Sequence, residues 1–416
     1  MPSSYDAIVV GARCAGSSTA MLLARAGHRV LLLDRASFPS DTMSTHLVHP
    51  PGVAALERWG LLDQLVASGC PPIGSYRIDF GPVAFAASPR PAGTIATAYA
   101  PRRTVLDKLL VDAAVAAGAE LREGCTVEEV LVEGGAVTGV RLRSGDTTTV
   151  TERAAVVVGA DGLHSTVARA VQAGRYHEQP ALEASYYTYW SGLETTGFEG
   201  YIRPERSWAA FPTHEGLTVV IVGWPRREFE ANRGDVEGNY LRMFEMAPEF
   251  AERVRGATRA SRLVGTGDLP NFYRVPFGPG WALVGDAGYH KDPITAQGIS
   301  DAFRDAELLT GALHRVLEGE QPYERALAGY QRARDEASLP MFELTCQLAS
   351  MAPPPPELQA LLGALPGNPE AAAGFVSVIA GTLPAPEFFA PDNVQRIMAA
   401  AAAGGGLSGW RPGTRC

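Results

Sequence analysis

The chain has 416 residues, of which 46% are hydrophobic and 19% are charged, and its formal net charge is −9. This length allows two or more domains, and the composition supports a sizeable core and excludes wholesale disorder. The acidic balance argues against a nucleic-acid partner and against a polybasic membrane surface. No apolar run approaches the ~18 residues of a membrane span. The five cysteines lack metal-ligand spacing and no signal peptide is visible, so we expect a cytoplasmic protein without a metal centre.

The stretch YDAIVVGARCAGSSTAMLLARAGHRVLLLDR is typical of strand, tight turn, helix and strand. It predicts a strand over 7–10, a helix ending near Ala26, and a buried parallel strand ending at Asp34. Glycines in such a turn let the backbone approach a pyrophosphate at a helix N-terminus, and the acid after the second strand binds ribose hydroxyls. The predicted nucleotide-binding residues of this unit are Gly11, Ala12, Arg13, Ala15, Gly16, Ser17, Asp34 and Arg35.

Arg13 replaces the middle glycine of the usual three-glycine pattern. A side chain at this position would crowd a nucleotide unless it turns outward toward a phosphate. The alternative interpretation is a βαβ unit that packs tightly and binds no ligand.

Two later segments repeat the strand-and-turn pattern. A predicted strand over 155–158 follows a β-meander and leads into GADG, residues 159–162. A predicted strand over 281–284 leads into GDA, residues 285–287, and then into a proline turn and a helix that begins near Gly298.

These three segments, in this order, resemble the signatures of the class A flavoprotein monooxygenases. That fold is shared with flavin-dependent halogenases and geranylgeranyl reductases. The matching parts are the glycine loop with Asp34, the GADG segment with Ser165 and Arg169, and the GDA segment with its proline and glycine, together covering roughly 5–345. The resemblance implies FAD as cofactor, NADPH or NADH as a transient reductant, and O2 as co-substrate. It also implies FAD contacts at Arg103, Val127, Asp161, Gly162, Gly285, Asp286, Pro293, Gln297, Gly298 and Ile299.

The resemblance further implies an α/β fold. It would contain a discontinuous Rossmann-like FAD-binding domain, a β-sheet substrate domain and a helical C-terminal segment. Because ligand sites favour domain interfaces, the sheet domain should form one wall of a pocket over the flavin. The expected bounds are 1–75, 98–178 and 268–345 for the FAD-binding domain, 76–97 and 179–267 for the sheet domain, and 346–416 for the C-terminal segment.

In class A enzymes, reduced FAD and O2 form a C4a-hydroperoxide that hydroxylates an electron-rich molecule. The resemblance therefore implies an aromatic or polyketide-like small-molecule substrate. Side chains would do modest acid–base work, such as deprotonating a phenol. The candidate catalytic residues are His46, His49 and His290, each with a purely structural histidine as the alternative. We expect a monomer or homodimer without nucleic-acid or membrane partners.

One departure from the family pattern leaves the reaction open. Class A hydroxylases have Gly-x-Asn after the proline, whereas this chain has Gln297-Gly298-Ile299-Ser300. That segment favours a double-bond reductase of the geranylgeranyl-reductase type, or a halogenase-related enzyme, as the alternative; a protein that binds FAD without turnover is a third. The only lysines are Lys108 and Lys291, so we predict that the protein is not a halogenase of the kind that depends on an N-terminal lysine.

Overall fold

The computed structural model describes residues 5–145 and 148–403. Its strands are β1 (Tyr5–Val10), β2 (Val30–Leu33), β3 (Pro72–Ile73), β4 (Tyr76–Asp79), β5 (Ala84–Ala87), β6 (Ala98–Tyr99), β7 (Glu120–Arg122), β8 (Cys125–Glu133), β9 (Ala136–Ser144), β10 (Thr148–Gly159), β11 (Arg175–Gln179), β12 (Glu183–Ser191), β13 (Phe198–Arg203), β14 (Arg206–Pro212), β15 (Leu217–Pro225), β16 (Thr258–Arg259), β17 (Val264–Thr266), β18 (Asn271–Arg274), β19 (Phe277–Gly278), β20 (Trp281–Leu283) and β21 (Tyr289–His290).

The helices are α1 (Cys14–Arg25), α2 (Pro50–Arg58), α3 (Leu62–Ala67), α4 (Arg103–Ala116), α5 (Thr166–Ala170), α6 (Phe229–Asn232), α7 (Val236–Phe244), α8 (Pro248–Arg255), α9 (Gly298–Leu317), α10 (Tyr323–Ala349), α11 (Pro356–Ala364), α12 (Pro369–Ile379), α13 (Ala385–Phe388) and α14 (Pro391–Ala403). Within the described residues, no helix is both long enough and apolar enough to cross a membrane.

The first sheet has the order β19-β20-β10-β1-β2-β7, and β20, β10, β1, β2 and β7 run parallel. Its central strands are almost wholly buried because both faces are covered. Helices α1, α4 and α9 cover one face, and β8, β9 and α5 pack on the other. The predicted β-meander is confirmed, because β8, β9 and β10 form consecutive antiparallel pairs.

The second sheet has the order β16-β12-β15-β14-β13-β4-β5. Along β12, Tyr186 and Trp190 pack against α7 and α8, whereas Tyr187 and Tyr189 face the opposite side. This is the alternation expected for one strand, in which successive side chains point to opposite faces.

The C-terminal helices cover part of that opposite side. Phe375 of α12 packs against Phe85 of β5 at 5.7 Å between ring centroids. Helix α10 continues to Ala349, past position 346 where the C-terminal segment was expected to begin. The expected segment also includes residues 404–416, which lie outside the described part of the chain. The predicted α/β fold class, with a parallel sheet, a second sheet and C-terminal helices, is confirmed.

Candidate active site

Four neighbouring parallel strands end at the same edge of the first sheet, and each is followed by a residue from one of the three predicted segments. Asp286 follows β20, Asp161 follows β10, Gly11 follows β1 and Asp34 follows β2. These residues line a cavity of about 940 Å³. The carboxyl edge of a parallel sheet is where ligands bind in open α/β folds.

Two glycines keep the backbone at this edge close-packed. Gly11 has a φ of 103°, and a Cβ atom there would lie 2.4 Å from the carbonyl oxygen of Ala160. Gly285 has a φ of 61°, and a Cβ atom there would lie 2.7 Å from the Cβ atom of Ala15. Any larger residue would separate these loops, so both positions require glycine.

The carboxylate of Asp34 holds the glycine loop in place. It accepts a hydrogen bond from the backbone N–H of Ala12 at 2.7 Å and another from Ala36 at 2.8 Å. Asp34 also lines the cavity, and a carboxylate has lone pairs for further donors. Asp34 therefore has a structural role in the loop and keeps acceptor capacity for the predicted ribose contact.

Two arginines share one buried carboxylate beside the loop. Arg13 donates to Asp107 at 2.6 Å, and Arg103 donates to both carboxylate oxygens of Asp107 at 2.9 and 3.0 Å. Asp107 is fully buried, while both arginines line the cavity. The cluster carries a net charge of +1, which suits a phosphate group. The Arg13 side chain turns away from the loop backbone. A bound nucleotide needs this orientation, because the side chain would otherwise crowd it.

The two acids of the later segments differ in their surroundings. Asp286 is exposed in the cavity, and no described residue donates a hydrogen bond to it. Asp161 accepts hydrogen bonds from Ser165 Oγ at 2.5 Å and from the N–H of Thr166 at 2.6 Å. Asp286 is therefore free to bind hydroxyl groups of a ligand, whereas Asp161 stabilises the start of α5.

The predicted helix after the proline is α9. A short 3-10 turn over Pro293–Thr295 leads into it, and its first residues Gly298 and Ile299 line the cavity. The N-terminus of this 20-residue helix carries a partial positive charge. Gln297 lies outside the cavity lining, because its Nε2 donates to the carbonyl oxygen of Ile379 at 2.7 Å.

His49 is fully buried and lies outside the cavity lining. Its Nε2–H donates to the carbonyl oxygen of Thr295 at 3.1 Å, and the Tyr76 hydroxyl donates to its Nδ1 at 3.0 Å. Burial lowers the pKa of His49 to about 4. The structure thus gives this predicted catalytic residue a neutral, structural position.

His46 is also fully buried outside the lining, with its Nε2 2.7 Å from the Tyr189 hydroxyl. Burial lowers the pKa of His46 to about 3, with the charge of Arg103 acting in the same direction. His290 does line the cavity, and its Nδ1–H donates to the carbonyl oxygen of Pro270 at 2.5 Å. Of the three predicted histidines, all of them in the described part of the chain, only His290 lines the cavity.

Most of the predicted FAD contacts line the cavity, and the others are buried residues outside its lining. Ala12, Gly16, Ser17 and Gln297 are the residues of the second kind. Those that line it are Gly11, Arg13, Ala15, Asp34, Arg35, Arg103, Val127, Asp161, Gly162, Gly285, Asp286, Pro293, Gly298 and Ile299.

Sequence reasoning missed several cavity residues. The extended segment 41–45 forms part of the wall, although no periodic pattern marks it. Lys291, already noted as one of the two lysines of the sequence, also lines the cavity, and its ammonium donates to Asp301 and, at 2.6 Å, to the Tyr289 hydroxyl. Asp292, next in the chain, lines the cavity and is 1% exposed. The one sequence feature that could have indicated Asp292 as a cavity residue was its position directly before a proline turn.

One group of possible metal ligands lies elsewhere in the described chain. His28, His314 and Glu318 place their ligand atoms within 4.8 Å of one another. They lie near the C-terminal ends of α1 and α9, whereas the N-terminal ends of those helices border the cavity. The ring nitrogens of His28 and His314 are 2.9 Å apart, so the pair forms a hydrogen bond.

The family model described as FAD binding domain matches residues 4–264. The chain therefore belongs to this family, and it is a flavoprotein oxidoreductase. The predicted resemblance to the flavoprotein monooxygenases and their relatives is confirmed.

Relatives with different reactions resemble the chain. Menaquinone reductase from Mycolicibacterium smegmatis is 31% identical over 336 residues, covering 75% of this chain and 76% of that protein. The 6-methylpretetramide 4-monooxygenase from Streptomyces rimosus is 27% identical over 328 residues, covering 75% of each. The structure of the myxobacterial chondrochloren halogenase CndH matches with a TM-score of 0.78 at 23% identity, covering 97% of this chain and 98% of that one. The last comparison shows a shared fold.

The cavity has the features that FAD requires. The close-packed glycines expose loop backbone, and the arginine pair offers a net positive charge. Asp286 offers a carboxylate that accepts no hydrogen bond from a described residue. The beginnings of α1 and α9 supply two helix N-termini.

Proposed function

We propose that the protein is an FAD- and NAD(P)H-dependent monooxygenase that hydroxylates an aromatic or polyketide-like small molecule. The observation that carries this proposal is the wall that the second sheet contributes to the cavity. It consists of Ser185 and Tyr187 of β12, Ile221 of β15 and Thr266 of β17.

These four residues form one small patch, because Tyr187 pairs with Ile221 and Ser185 pairs with Thr266 across adjacent strands. The C-terminal helices cover much of the remaining apolar side of the sheet. The open patch is short and partly polar. It suits a compact ring with hydroxyl groups better than a long isoprenoid chain, which needs a continuous apolar channel.

Bound FAD would supply the redox chemistry that links NAD(P)H to O2. The chain's own residues bind and orient the reactants. Asp286 would accept hydrogen bonds from hydroxyls of the cofactor, Arg13 and Arg103 would neutralise phosphate, and the N-terminus of α9 would stabilise negative charge in the cavity. Tyr187 lines the cavity, and its ring would contact an aromatic substrate there.

The test is turnover of the holoenzyme with NADH or NADPH and a panel of phenols and aromatic polyketides under ¹⁸O2. We expect one panel member to accelerate NAD(P)H oxidation and to gain a single labelled oxygen atom. The Asp286→Ala variant, which lacks the proposed cofactor contact, is the negative control. A product oxygen that comes from water, or flavin reduction that no panel member accelerates, would contradict the proposal.

A double-bond reductase is the second candidate. The 31% identity to menaquinone reductase favours a reductase, as does Ser300, where hydroxylases of this kind have asparagine. The distinguishing experiment is anaerobic: a reductase consumes NAD(P)H without O2 and adds two hydrogen atoms to a carbon–carbon double bond. A monooxygenase gives no product under these conditions.

A further inference from the structure

Two histidines and a glutamate come together at the ends of α1 and α9, far from the cavity. His28, His314 and Glu318 each offer one ligand atom, and the three atoms lie within 4.8 Å of one another. Within this cluster, His28 Nε2 and His314 Nδ1 are 2.9 Å apart. Two histidines with one glutamate form one of the ligand sets that zinc uses in proteins. The cluster therefore has the chemistry and the spacing of a metal site.

The turn that ends α1 positions His28. Gly27 follows the helix with a φ of 89°, a left-handed conformation that glycine adopts readily. The N–H of His28 then donates to the carbonyl oxygen of Leu23 at 3.2 Å, the bond that closes a Schellman motif at a helix C-terminus. The His28 residue is 8% exposed. Both its backbone and its ring are thus fixed by the fold.

The last turn of α9 positions the other two residues. His314 and Glu318 are four residues apart, so their side chains lie on one face of the helix. The N–H of Glu318 donates to the carbonyl oxygen of His314 at 3.0 Å, which continues the helical bonding to this point. Helices α1 and α9 pack against each other, and this brings His28 to the same face. Because 286 positions separate the two histidines, no local spacing in the sequence indicates the site.

The electrostatics of this region favour a cation. The C-terminal ends of α1 and α9 both carry a partial negative charge, and the carboxylate of Glu318 is exposed and has no ion pair within the described residues. The arginines next to the histidines are directed elsewhere. The Arg29 guanidinium lies 5.4 Å from the centroid of the Tyr5 ring, and Arg315 donates to Gln321 at 3.3 Å.

The geometry needs only small adjustments to hold an ion. Zn–N bonds of about 2.0–2.1 Å in a tetrahedral site place two ligand nitrogens roughly 3.3 Å apart, so the rings separate by a few tenths of an ångström. The exposed Glu318 side chain can turn toward them, and His314 is half-buried, so an ion and a water molecule can enter from solvent. The hydrogen between the two rings moves to the other nitrogen of its own ring, which leaves both facing nitrogens with a lone pair.

We propose that His28, His314 and Glu318 bind one Zn²⁺ ion, with a water molecule as the fourth ligand, and that the ion clamps the turn after α1 to the last turn of α9. Both helices begin at the cavity, and α9, with 20 residues, is about 30 Å long. The ion therefore lies away from the reacting groups, and its role is structural. The reaction and the substrate proposed above do not enter this inference.

The first experiment is equilibrium dialysis of the EDTA-treated holoenzyme against a series of zinc concentrations, with atomic absorption as the readout. We expect one zinc ion per chain in the wild type. Loss of a residue that only orients a metal ligand costs about 10–100-fold in affinity, so His314→Gln and Glu318→Gln should each cost at least that much. His177→Gln removes an exposed histidine elsewhere and is the matched control. Substoichiometric zinc, or equal affinities in all four proteins, would overturn the site.

The second experiment tests the clamp by thermal unfolding of the same proteins. An ion that binds only the folded chain should raise the melting temperature of the wild type and of His177→Gln by about 3 °C at a zinc concentration about 100 times its Kd. The same zinc concentration should leave His314→Gln unchanged. Glu318→Gln has an exposed substitution site and should fold even if His314→Gln does not. Zinc that binds without raising the melting temperature would overturn the clamp.

The third experiment identifies the ligands with Cu²⁺, which binds imidazole more tightly than Zn²⁺ does. Electron spin echo measurements on the holoenzyme with one equivalent of Cu²⁺ should detect two coordinating imidazoles in the wild type and in His177→Gln. His28→Gln and His314→Gln should each retain one. Two imidazoles in all four proteins would place the ion elsewhere and would overturn the assignment. None of these measurements depends on turnover, so failure of the monooxygenase assay is a separate outcome.

Discussion

The carboxylate of Asp34 accepts a hydrogen bond from the backbone N–H of Ala12 at 2.7 Å, which joins the end of β2 to the glycine loop after β1. Its other oxygen accepts from Ala36 at 2.8 Å. The loop is thus held in shape by the acid that also lines the cavity. Contacts with the cofactor and stability of the loop are therefore coupled at this one residue.

Asp34→Ala should lower both FAD occupancy and the stability of the apoprotein. Hydrogen bonds to a charged acceptor are worth roughly 1.5–3 kcal/mol each, so the loss of these two bonds should lower the free energy of unfolding by about 3–6 kcal/mol. Urea denaturation of the apoprotein measures this loss. An apoprotein of unchanged stability would show that the two hydrogen bonds do not hold the loop.

Asp286→Ala should remove most of the FAD while leaving the apoprotein stable. Asp286 is exposed in the cavity and receives no hydrogen bond from a described residue, so its loss should change the stability by less than about 0.5 kcal/mol. The measurements are the ratio of flavin to protein absorbance after purification and the urea midpoint of the apoprotein. A variant that retains full flavin would contradict the assigned contact.

Asp107→Ala should strongly destabilise the protein. The carboxylate pairs with Arg13 and with Arg103, and Arg103 is 8% exposed. Removing one partner of a buried pair costs about 3–5 kcal/mol because the other charge remains buried. Thermal unfolding measures the effect, and Lys108→Ala on the exposed side of the same helix, which removes an exposed pair with Asp112, is the control. Equal melting temperatures for the two variants would rule out a structural role for the cluster.

Acid should destabilise the protein through His49. The folded-state pKa of His49 is about 4, below the unfolded value of about 6.5. Between these values the unfolded chain binds a proton that the folded protein does not, so stability falls as the pH falls from 6.5 toward 4, by about 1.4 kcal/mol per pH unit.

His49→Gln should flatten this slope, which urea denaturation at pH 4.5, 5.5 and 6.5 measures. Asp292 and Glu183 have raised pKa values and contribute the opposite slope, but they are present in both proteins and cancel in the comparison. His177→Gln, which removes an exposed histidine, is the control. Parallel curves for wild type and His49→Gln would show that His49 does not remain neutral in the fold.

Neither of the two lysines has a free amine that could react with a hypohalous acid. Lys108 is exposed on α4 and paired with Asp112 at 2.5 Å, and Lys291 is buried in an ion pair with Asp301. Incubation with bromide, reduced flavin, O2 and either phenol or pyrrole should therefore give no halogenated product by mass spectrometry. A bromine isotope pattern that disappears in Lys291→Met would reverse this conclusion.

The sequence alone determined the elements whose signals are local. The apolar runs predicted β1, β2, β10 and β20, and the glycines after them predicted tight turns, because strand periodicity and positive φ depend on a few neighbouring residues. Helix α1 was expected to end near Ala26 and ends at Arg25. The resemblance to a family added the identity of the ligand, and most of the residues assigned to it line the cavity.

Tertiary structure decided which polar residues face that ligand. His46 and His49 were equivalent candidates in the sequence with His290, yet packing against Tyr189 and Tyr76 buries the first two. Burial and pKa depend on which distant elements pack together, and that information is not present in any short stretch of sequence.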